Sequence, residues 1–167
     1  AGAAQVGPGF DIKKGRGGIR EIEFFAQMHQ LIHGGRNPAL RVRGTRASLD
    51  ALAAAAIIPA DDARLLGESY DRLRAIEHRL QMTDDRQTHR LPTDPAALDA
   101  VASLDGRGDG AALVDEVRAI TEAVGARYDA LLAGGAGRAG GNVAAAEPLA
   151  AMLRRLGYDD PDALAAR

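Results

Sequence analysis

The chain has 167 residues, an apolar content of 46%, and neither cysteine nor tryptophan. This length fits one domain, with or without a tail. The absence of thiols excludes disulfides and cysteine-based zinc or redox sites. No apolar run approaches the roughly 18 residues that a membrane-spanning helix needs, and the N-terminal residues lack the pattern of a signal peptide. We therefore expect a cytoplasmic protein with no membrane partner.

The net charge of −2 is unevenly distributed. Residues 10–46 contain eight Lys or Arg and three acids, a balance of +5, whereas residues 50–167 contain thirteen and twenty, a balance of −7. A basic front of this kind predicts attraction of an acidic or phosphorylated partner.

The first half of the chain predicts a loop and two helices. Residues 1–18 are rich in glycine and predict a loop, with a short extended stretch at 10–13. From Ile19 to about Gly34, apolar residues recur at helical spacing over so wide an arc that we expect a helix buried between others. A second helix is expected from an N-cap at Thr45 to about Ile57.

Three more helices are expected after Ile57. Pro59 opens the longest one, which should reach about Met82, with acids in its first turn where the helix dipole favours them. Thr93, Asp94 and Pro95 predict the start of a short helix that ends near Leu104. The last helix shows a stripe of apolar residues at three- and four-residue steps: Leu113, Val117, Ile120, Val124, Tyr128 and Leu131.

These elements predict an all-α fold, a mostly antiparallel bundle of three long and two short helices. We expect a glycine-rich loop at residues 1–18, the bundle at 19–132, a flexible linker at 133–146 and the start of a further helical segment at 147–167. The chain lacks an initiator methionine and stops inside the last predicted helix. It is therefore interpreted as a segment of a longer protein.

Two histidines and two glutamates of the first predicted helix are candidates for a metal site and for acid–base chemistry. His29 and His33 have the four-residue spacing of two zinc ligands, but no third ligand is evident, so we expect no metal site. Glu21 and Glu23 are two residues apart and face different directions on a helix. Acids that favour the helix dipole explain them without a catalytic role.

The run GRGGIR at residues 15–20 resembles a phosphate-binding loop before a helix. Backbone N–H groups at a helix start attract anions, and Lys13, Lys14, Arg16 and Arg20 add positive charge. No βαβ unit surrounds the run, so a dinucleotide-binding fold is not expected. Anion contact and a plain glycine turn both remain open.

Four arginines, Arg36, Arg41, Arg43 and Arg46, cluster around the connection between the first two predicted helices. Interleaved aromatics and an overall basic charge, which nucleic-acid binding favours, are missing. We predict a contact patch for a neighbouring part of the same polypeptide or for a protein partner, and no nucleic acid.

Residues 11–27, DIKKGRGGIREIEFFAQ, resemble a signature of the glutamine synthetase adenylyltransferase family. The resemblance continues through residues 31–38, resumes at 74–92 (RAIEHRLQMTDDRQTHRLP) and returns at 156–167. The related uridylyltransferases of the PII signalling protein have a similar loop followed by a Leu-Arg-Asp-Leu run. The run IREIEF here favours the adenylyltransferase, and with DDRQTHRLP it favours the N-terminal, adenylyl-removing half.

The resemblance implies a parent enzyme that adds AMP to a tyrosine of glutamine synthetase and removes it by phosphorolysis, in control of nitrogen assimilation. The family's nucleotidyltransferase head holds Mg²⁺ through an Asp-x-Asp on a strand that follows a Gly-Ser or Gly-Gly turn, and it uses ATP or ADP. The Asp-x-Asp spacing at residues 159–162 of this chain lies at a predicted helix start and follows no such turn. The resemblance therefore implies a non-catalytic helical domain after the head, without a cofactor of its own. The positions that match the loop motif, and that would complete the cleft of the head, are Asp11, Lys13, Gly15, Gly17, Gly18, Arg20, Glu21 and Glu23.

The implied partners are the head of the same polypeptide, glutamine synthetase and the PII signalling protein. Three other interpretations stay open. The chain could be a regulatory module that senses PII or glutamine, the helical domain of a PII uridylyltransferase, or a stand-alone helical scaffold.

Overall fold

The computed structural model of the chain describes residues 6–84, 88–106 and 108–134. Five α-helices form most of these ranges: α1 Ile19–His33, α2 Thr45–Ala54, α3 Ala60–Asp84, α4 Pro95–Leu104 and α5 Gly110–Gly134, with a short 3-10 helix at Pro38–Leu40. The described ranges contain no strand, only one isolated bridge between Asp11 and Arg90. The predicted all-α fold is confirmed, with its three long and two short helices.

The chain divides into two compact units, Ala1–Tyr128 and Asp129–Arg167. Of the predicted linker at 133–146, only residues 133 and 134 are described, and they form the end of α5. The predicted segment at 147–167 lies outside the described residues. No helix in the described part of the chain is long and apolar enough to cross a membrane.

Helix α3 is the central element of the first unit. It packs against α1 and α2, which also pack against each other, and against α4. A second set of contacts joins α3, α4, α5 and the glycine loop in one apolar cluster: Phe10, Ile12, Ile76, Leu80, Leu91, Leu98, Val101, Ala102, Leu113, Val114 and Val117. Burying a large aliphatic side chain stabilises a fold by about 1.5–3 kcal/mol. The cluster therefore also holds the N-terminal loop in place.

Helix α1 is buried along only part of its length. Ile19, Ile22 and Phe25 are buried, but Leu31 is 70% exposed and Ile32 is 50% exposed. The prediction that the whole apolar arc is buried is therefore wrong for the last turn. This turn extends beyond the packing that covers the start of the helix.

Both ends of α2 differ from the prediction. Thr45 is the first helical residue and not the N-cap; Gly44 is the N-cap, with a φ of 87° that a β-branched residue adopts only with strain. At the other end the helix stops at Ala54. Ala56 has a φ of 54°, and the Ile57 N–H donates to the Leu52 carbonyl at 3.0 Å. An alanine thus takes the left-handed position that usually falls to glycine at a helix end.

The buried stripe of α5 differs from the predicted one at one position. Leu113, Val117 and Val124 are buried as expected, but Ile120 is only half-buried, and Thr121 is buried instead. The Thr121 hydroxyl donates to the Val117 carbonyl at 2.9 Å, so its polar atom is satisfied within the helix.

Candidate functional site

Four backbone N–H groups of residues 13–17 donate hydrogen bonds to nearby acceptors of residues 11–21. Asp11 Oδ1 accepts from the N–H groups of Lys13 and Lys14 at 3.0 and 2.9 Å, and the Asp11 carbonyl accepts from the Gly15 N–H at 2.7 Å. The Gly17 N–H donates to Glu21 Oε2 at 2.9 Å. These four amides therefore face acceptors of the loop and of the first turn of α1, and the positive charge that the loop presents comes from its basic side chains.

Three glycines of the loop, at positions 15, 17 and 18, lie where no side chain fits. A Cβ at Gly15 would stand 2.4 Å from the Phe10 ring, and one at Gly18 would stand 2.6 Å from the Ile12 carbonyl oxygen. Gly17 has a φ of 71° and lies against the backbone of α5. The glycines of this motif thus allow close packing of the loop on its neighbours.

The loop pairs with the segment that follows α3. The Ile12 N–H donates to the His89 carbonyl, and the Gly9 N–H donates to the Leu91 carbonyl, both at 2.9 Å. The Leu91 N–H donates back to the Phe10 carbonyl at 2.9 Å. The extended stretch predicted at 10–13 therefore exists as a short pairing without a full strand. It brings together the two stretches, 11–27 and 74–92, that carry the family resemblance.

A buried glutamate lies where these two stretches meet. Glu77 in α3 is 3% exposed. Its Oε1 lies 3.4 Å from Lys13 Nζ of the loop and 2.8 Å from His89 Nδ1, and its Oε2 accepts a hydrogen bond from Arg74. A buried carboxylate requires cationic or hydrogen-bonding partners because desolvation strongly penalises its charge. Three chain segments supply these partners.

The contact between Glu77 and His89 is short but not aligned as a hydrogen bond. Glu77 Oε1 and His89 Nδ1 are both buried, and neither has a well-directed partner among the described residues. Glu77 is therefore held by Lys13 and Arg74, and the His89 ring lies close beside its carboxylate.

A polar cavity of about 330 Å³ opens beside this group of charges. Its lining residues are Lys13, Arg74, Glu77, His78, Gln81 and His89. Ligand cavities of roughly this size or larger are typical of small-molecule sites. We call the cavity with its six lining residues the Glu77 site.

Of the residues predicted from the loop motif, Lys13 is the one whose side chain reaches the Glu77 site. Sequence reasoning missed its other five residues. One signal was available: Glu77 falls on the register of the buried stripe of α3, next to Ile76, where a charged residue is unusual.

The other charged residues of the motif lie elsewhere. Arg20 is exposed in the first turn of α1. Glu23 accepts a long hydrogen bond of 3.5 Å from the Tyr70 hydroxyl of α3. Burial, and secondarily the carboxylate of Glu21, raises the pKa of Tyr128 in α5. Glu21 and Glu23 therefore connect α1 to its neighbours and do not form an acid–base pair with each other.

The four arginines of the predicted patch divide into two kinds. Arg41 Nε donates to the Gly34 carbonyl at 2.8 Å at the end of α1, and Arg46 pairs with Asp71 of α3 at 2.7 Å. Arg36 and Arg43 are exposed, and no side-chain hydrogen bond or ion pair joins either of them to another residue of the described ranges. Two arginines thus hold the fold together, and two remain available at the surface.

His29 and His33 lie side by side on α1, with ring centroids 5.9 Å apart. Burial, and then the neighbouring His33, lowers the pKa of His29. No three His, Asp or Glu side chains lie together as metal ligands in the part of the chain that the structure describes. Two imidazoles without a neighbouring carboxylate do not fit a magnesium site, because Mg²⁺ prefers oxygen ligands.

Known proteins match nearly the whole chain. The sequence model of the GlnD PII-uridylyltransferase family matches residues 2–132. A bifunctional glutamine synthetase adenylyltransferase/adenylyl-removing enzyme of Caulobacter vibrioides is 44% identical over 166 residues, which cover 95% of this chain and 17% of that protein. Proteins of the same name from Agrobacterium fabrum and Burkholderia mallei are 49% and 42% identical, over 74% and 94% of this chain.

The chain spans less than a fifth of the length of these relatives. Their shared name agrees with the resemblance of residues 11–27, and the family model covers more than half of the chain. The chain therefore belongs to the GlnD PII-uridylyltransferase family, and its relatives at 42–49% identity are bifunctional glutamine synthetase adenylyltransferase/adenylyl-removing enzymes.

Proposed function

We propose that this chain is a non-catalytic helical segment of a bifunctional glutamine synthetase adenylyltransferase. The names of the relatives support this parent, and the short share of their length that the chain covers supports a segment of it. The parent adds AMP to a tyrosine of glutamine synthetase and removes it, in control of nitrogen assimilation. Glutamine synthetase is then its substrate partner, and the nucleotidyltransferase head carries Mg²⁺ and ATP or ADP.

Within this parent we place the chain in the adenylyl-removing half, directly after the head of the same polypeptide. The run Ile19–Phe24 and the run DDRQTHRLP at 84–92 support this half. The helical architecture agrees with a domain that supports a separate catalytic head.

The glycine loop is the element that completes the cleft of the head in this proposal. The observation that carries it is the fixed geometry of the loop, which is bonded to residues 89–91 and packed against α5. A loop that is ordered before contact loses little conformational entropy when a partner binds. Its basic side chains, including Lys13 and the exposed Lys14 and Arg20, provide the charge for a phosphate-bearing or acidic neighbour.

Deadenylylation of glutamine synthetase by the full-length enzyme tests this proposal. We expect Lys13→Ala and Arg20→Ala to lower kcat/KM for AMP removal at least tenfold, with AMP addition unchanged. Arg64→Ala is the control, because Arg64 is an exposed arginine of α3 that pairs only locally with Asp61. Unchanged removal in both loop variants would reduce the loop to a structural turn, and loss of AMP addition alone would place the chain in the other half.

A second candidate function is a regulatory module that binds the PII signalling protein. The observation that favours it is the exposed end of α1, where Leu31 and Ile32 lie in the open. Gln30 and Arg41 hold the following connection against this end, with Gln30 Nε2 donating to the Leu40 carbonyl at 2.6 Å. Exposed apolar side chains beside free arginines are typical of protein contact surfaces.

PII binding to the full-length enzyme tests this candidate. The double variant Arg36→Glu, Arg43→Glu should weaken binding at least tenfold, and Arg118→Glu on α5 should not. If PII binds both variants as it binds the wild type, this surface is not its contact.

A further inference from the structure

We propose that the Glu77 site binds a phosphate group. This inference goes beyond the proposed function, which concerns the contact of the loop with the catalytic head. It depends on residues of this chain alone, so it can be tested without the parent enzyme.

The charge and chemistry of the lining favour an oxyanion. Lys13 and Arg74 contribute two positive charges, Glu77 removes one, and the balance is +1 before either imidazole is protonated. Lys13 and Arg74 remain partly exposed, at 29% and 47%, while Glu77 is buried. The cavity therefore presents N–H donors at its surface and keeps its carboxylate beneath them. A guanidinium and an ammonium together are typical ligands of phosphate.

Glu77 acts as the positioning residue of this site. It holds the ends of Lys13, Arg74 and His89, which come from the loop, from α3 and from the segment after α3. Long basic side chains lose rotamer entropy when they bind a ligand in one geometry. Because the carboxylate already restricts them, less of that entropy remains to be lost when an anion arrives.

A cation is a poor fit for the same cavity. His78, His89 and Glu77 are potential metal ligands by type, but they do not form a metal-binding group in the described ranges. An ammonium and a guanidinium in the same lining repel a metal ion. The volume of about 330 Å³ is close to the lower limit for small-molecule sites, which suits a phosphate with a small substituent or one end of a larger phosphate ester.

The four histidines allow a direct test on the full chain of 167 residues. The imidazole resonances are followed by NMR at pH 7.5 during titration with inorganic phosphate, and in parallel with AMP, at constant ionic strength. We expect saturable shifts of His78 and His89, while His29 and His33 on α1 stay unchanged and serve as internal references. Saturation by phosphate alone identifies a site for the free anion, and saturation by AMP at equal or lower concentration identifies a site for a phosphate monoester.

Variants assign the binding to the lining. Arg74→Gln and Lys13→Met should each weaken phosphate binding at least tenfold. Arg118→Gln is the matched control, since Arg118 also pairs with an acid three residues away but lies outside the cavity. Thermal unfolding of each variant checks that the fold is retained, and the two α1 histidines report its integrity in the same spectra.

Four outcomes would overturn the proposal. Three are the absence of shifts at His78 and His89 in tens of millimolar phosphate, equal shifts of all four histidines, and unchanged affinity in Arg74→Gln. The fourth is a shift of the two resonances by chloride at matched ionic strength, because it would indicate general screening of charge. Failure of this binding, with deadenylylation still dependent on Arg20, would leave the proposed function standing.

Discussion

Gly17 in the glycine loop lies directly against Thr121 in α5. A Cβ built on Gly17 would stand 1.9 Å from the Thr121 carbonyl oxygen. The side chain of Thr121 is itself buried, with its hydroxyl bonded to carbonyls of its own helix. The backbones of the loop and the helix therefore leave no room for a side chain at Gly17. This contact fixes the position of the loop on α5.

We expect Gly17→Ala to destabilise the chain by about 2–5 kcal/mol. The positive φ costs a non-glycine residue about 1–2 kcal/mol, and forcing a methyl group into a packed contact adds about 1–3 kcal/mol. The control is Gly35→Ala, because a Cβ there meets nothing within 4 Å. Urea unfolding measures both, and similar midpoints for the two variants would show that the close contact does not hold in solution.

Arg72 joins three helical elements through one guanidinium. It donates to both oxygens of Asp105, at the end of α4, and to both oxygens of Glu116 in α5. The hydrogen bonds to Asp105 and then to Glu116 raise the pKa of Arg72 above its usual range. Arg72→Met should destabilise the chain by about 3–5 kcal/mol, since it leaves two partly buried carboxylates close together without their shared cation.

The matched control for Arg72 is Arg64→Met, eight positions earlier on the same helix. Arg64 pairs with an exposed acid three residues away, so its replacement should leave the unfolding midpoint nearly unchanged. Guanidinium chloride screens surface ion pairs, so urea is the appropriate denaturant. An equal loss of unfolding free energy in the two variants would mean that the hydrogen bonds of the Arg72 guanidinium contribute no more than a surface ion pair.

The burial of Ile76 in α3 and of Ile120 in α5 makes a third stability prediction. Ile76 in α3 is fully buried, whereas Ile120 is half-buried and lines a surface cavity. Ile76→Ala should cost about 2–5 kcal/mol, because the truncation leaves a cavity in the core. Ile120→Ala should cost about 1 kcal/mol, in proportion to the smaller area that it removes from contact. A larger loss of stability for Ile120→Ala than for Ile76→Ala in chemical denaturation would contradict the half-buried position of Ile120.

The lowered pKa of His29 predicts a loss of stability in mild acid. The unfolded chain protonates this histidine near pH 6.5, whereas burial and His33 delay protonation in the folded chain. The contribution of His29 is thus fully present above about pH 6.5. It is lost as the pH falls from there to the lowered pKa of the folded state.

The variant His29→Phe keeps a ring beside Phe25 and removes the titrating group. The free energy of unfolding, measured at pH 7.5 and 5.5, should fall less between the two pH values in the variant than in the wild type. His78 and His89 lie outside α1 and are present in both proteins, so their effects cancel in the comparison. An equal fall in both proteins would contradict the assignment to His29.

Helix positions were predictable where the determining interaction is local. The start of α4 is an example, since the Asp94 carboxylate accepts from the Ala97 N–H at 2.9 Å and Pro95 follows the cap. The predicted start of α2 was wrong by one residue because Gly44 and Thr45 are both acceptable N-caps. Only the backbone path of the preceding connection decides between them.

The buried face of α5 could not be predicted from the sequence in the same way. Ile120 and Thr121 are adjacent, and both continue a three- and four-residue spacing from Val117. Hydrophobicity favours the isoleucine, but the loop packs its backbone against Thr121 at Gly17. That partner is about 100 positions away in the chain, so spacing along the helix carries no information about it.

Residue spacing gave even less information about which side chains form the Glu77 site. Lys13 was recognised through a motif, but a single acid in α3 and a histidine after it match no pattern of residue spacing. The segments meet only because the loop pairs with residues 89–91. The family resemblance marked both stretches, yet it gave no indication that their side chains share one cavity.

That pairing also has a consequence for the order of folding. Residues 9–12 and 89–91 are roughly 80 positions apart, so the hydrogen bonds between them close a long loop of chain. Such closure costs entropy that helices α1 to α3 do not need to overcome for their own local contacts. We therefore expect the helices to form first and the loop to join late. The cavity around Glu77 would then be among the last parts of the molecule to exist and the first to disappear on partial unfolding.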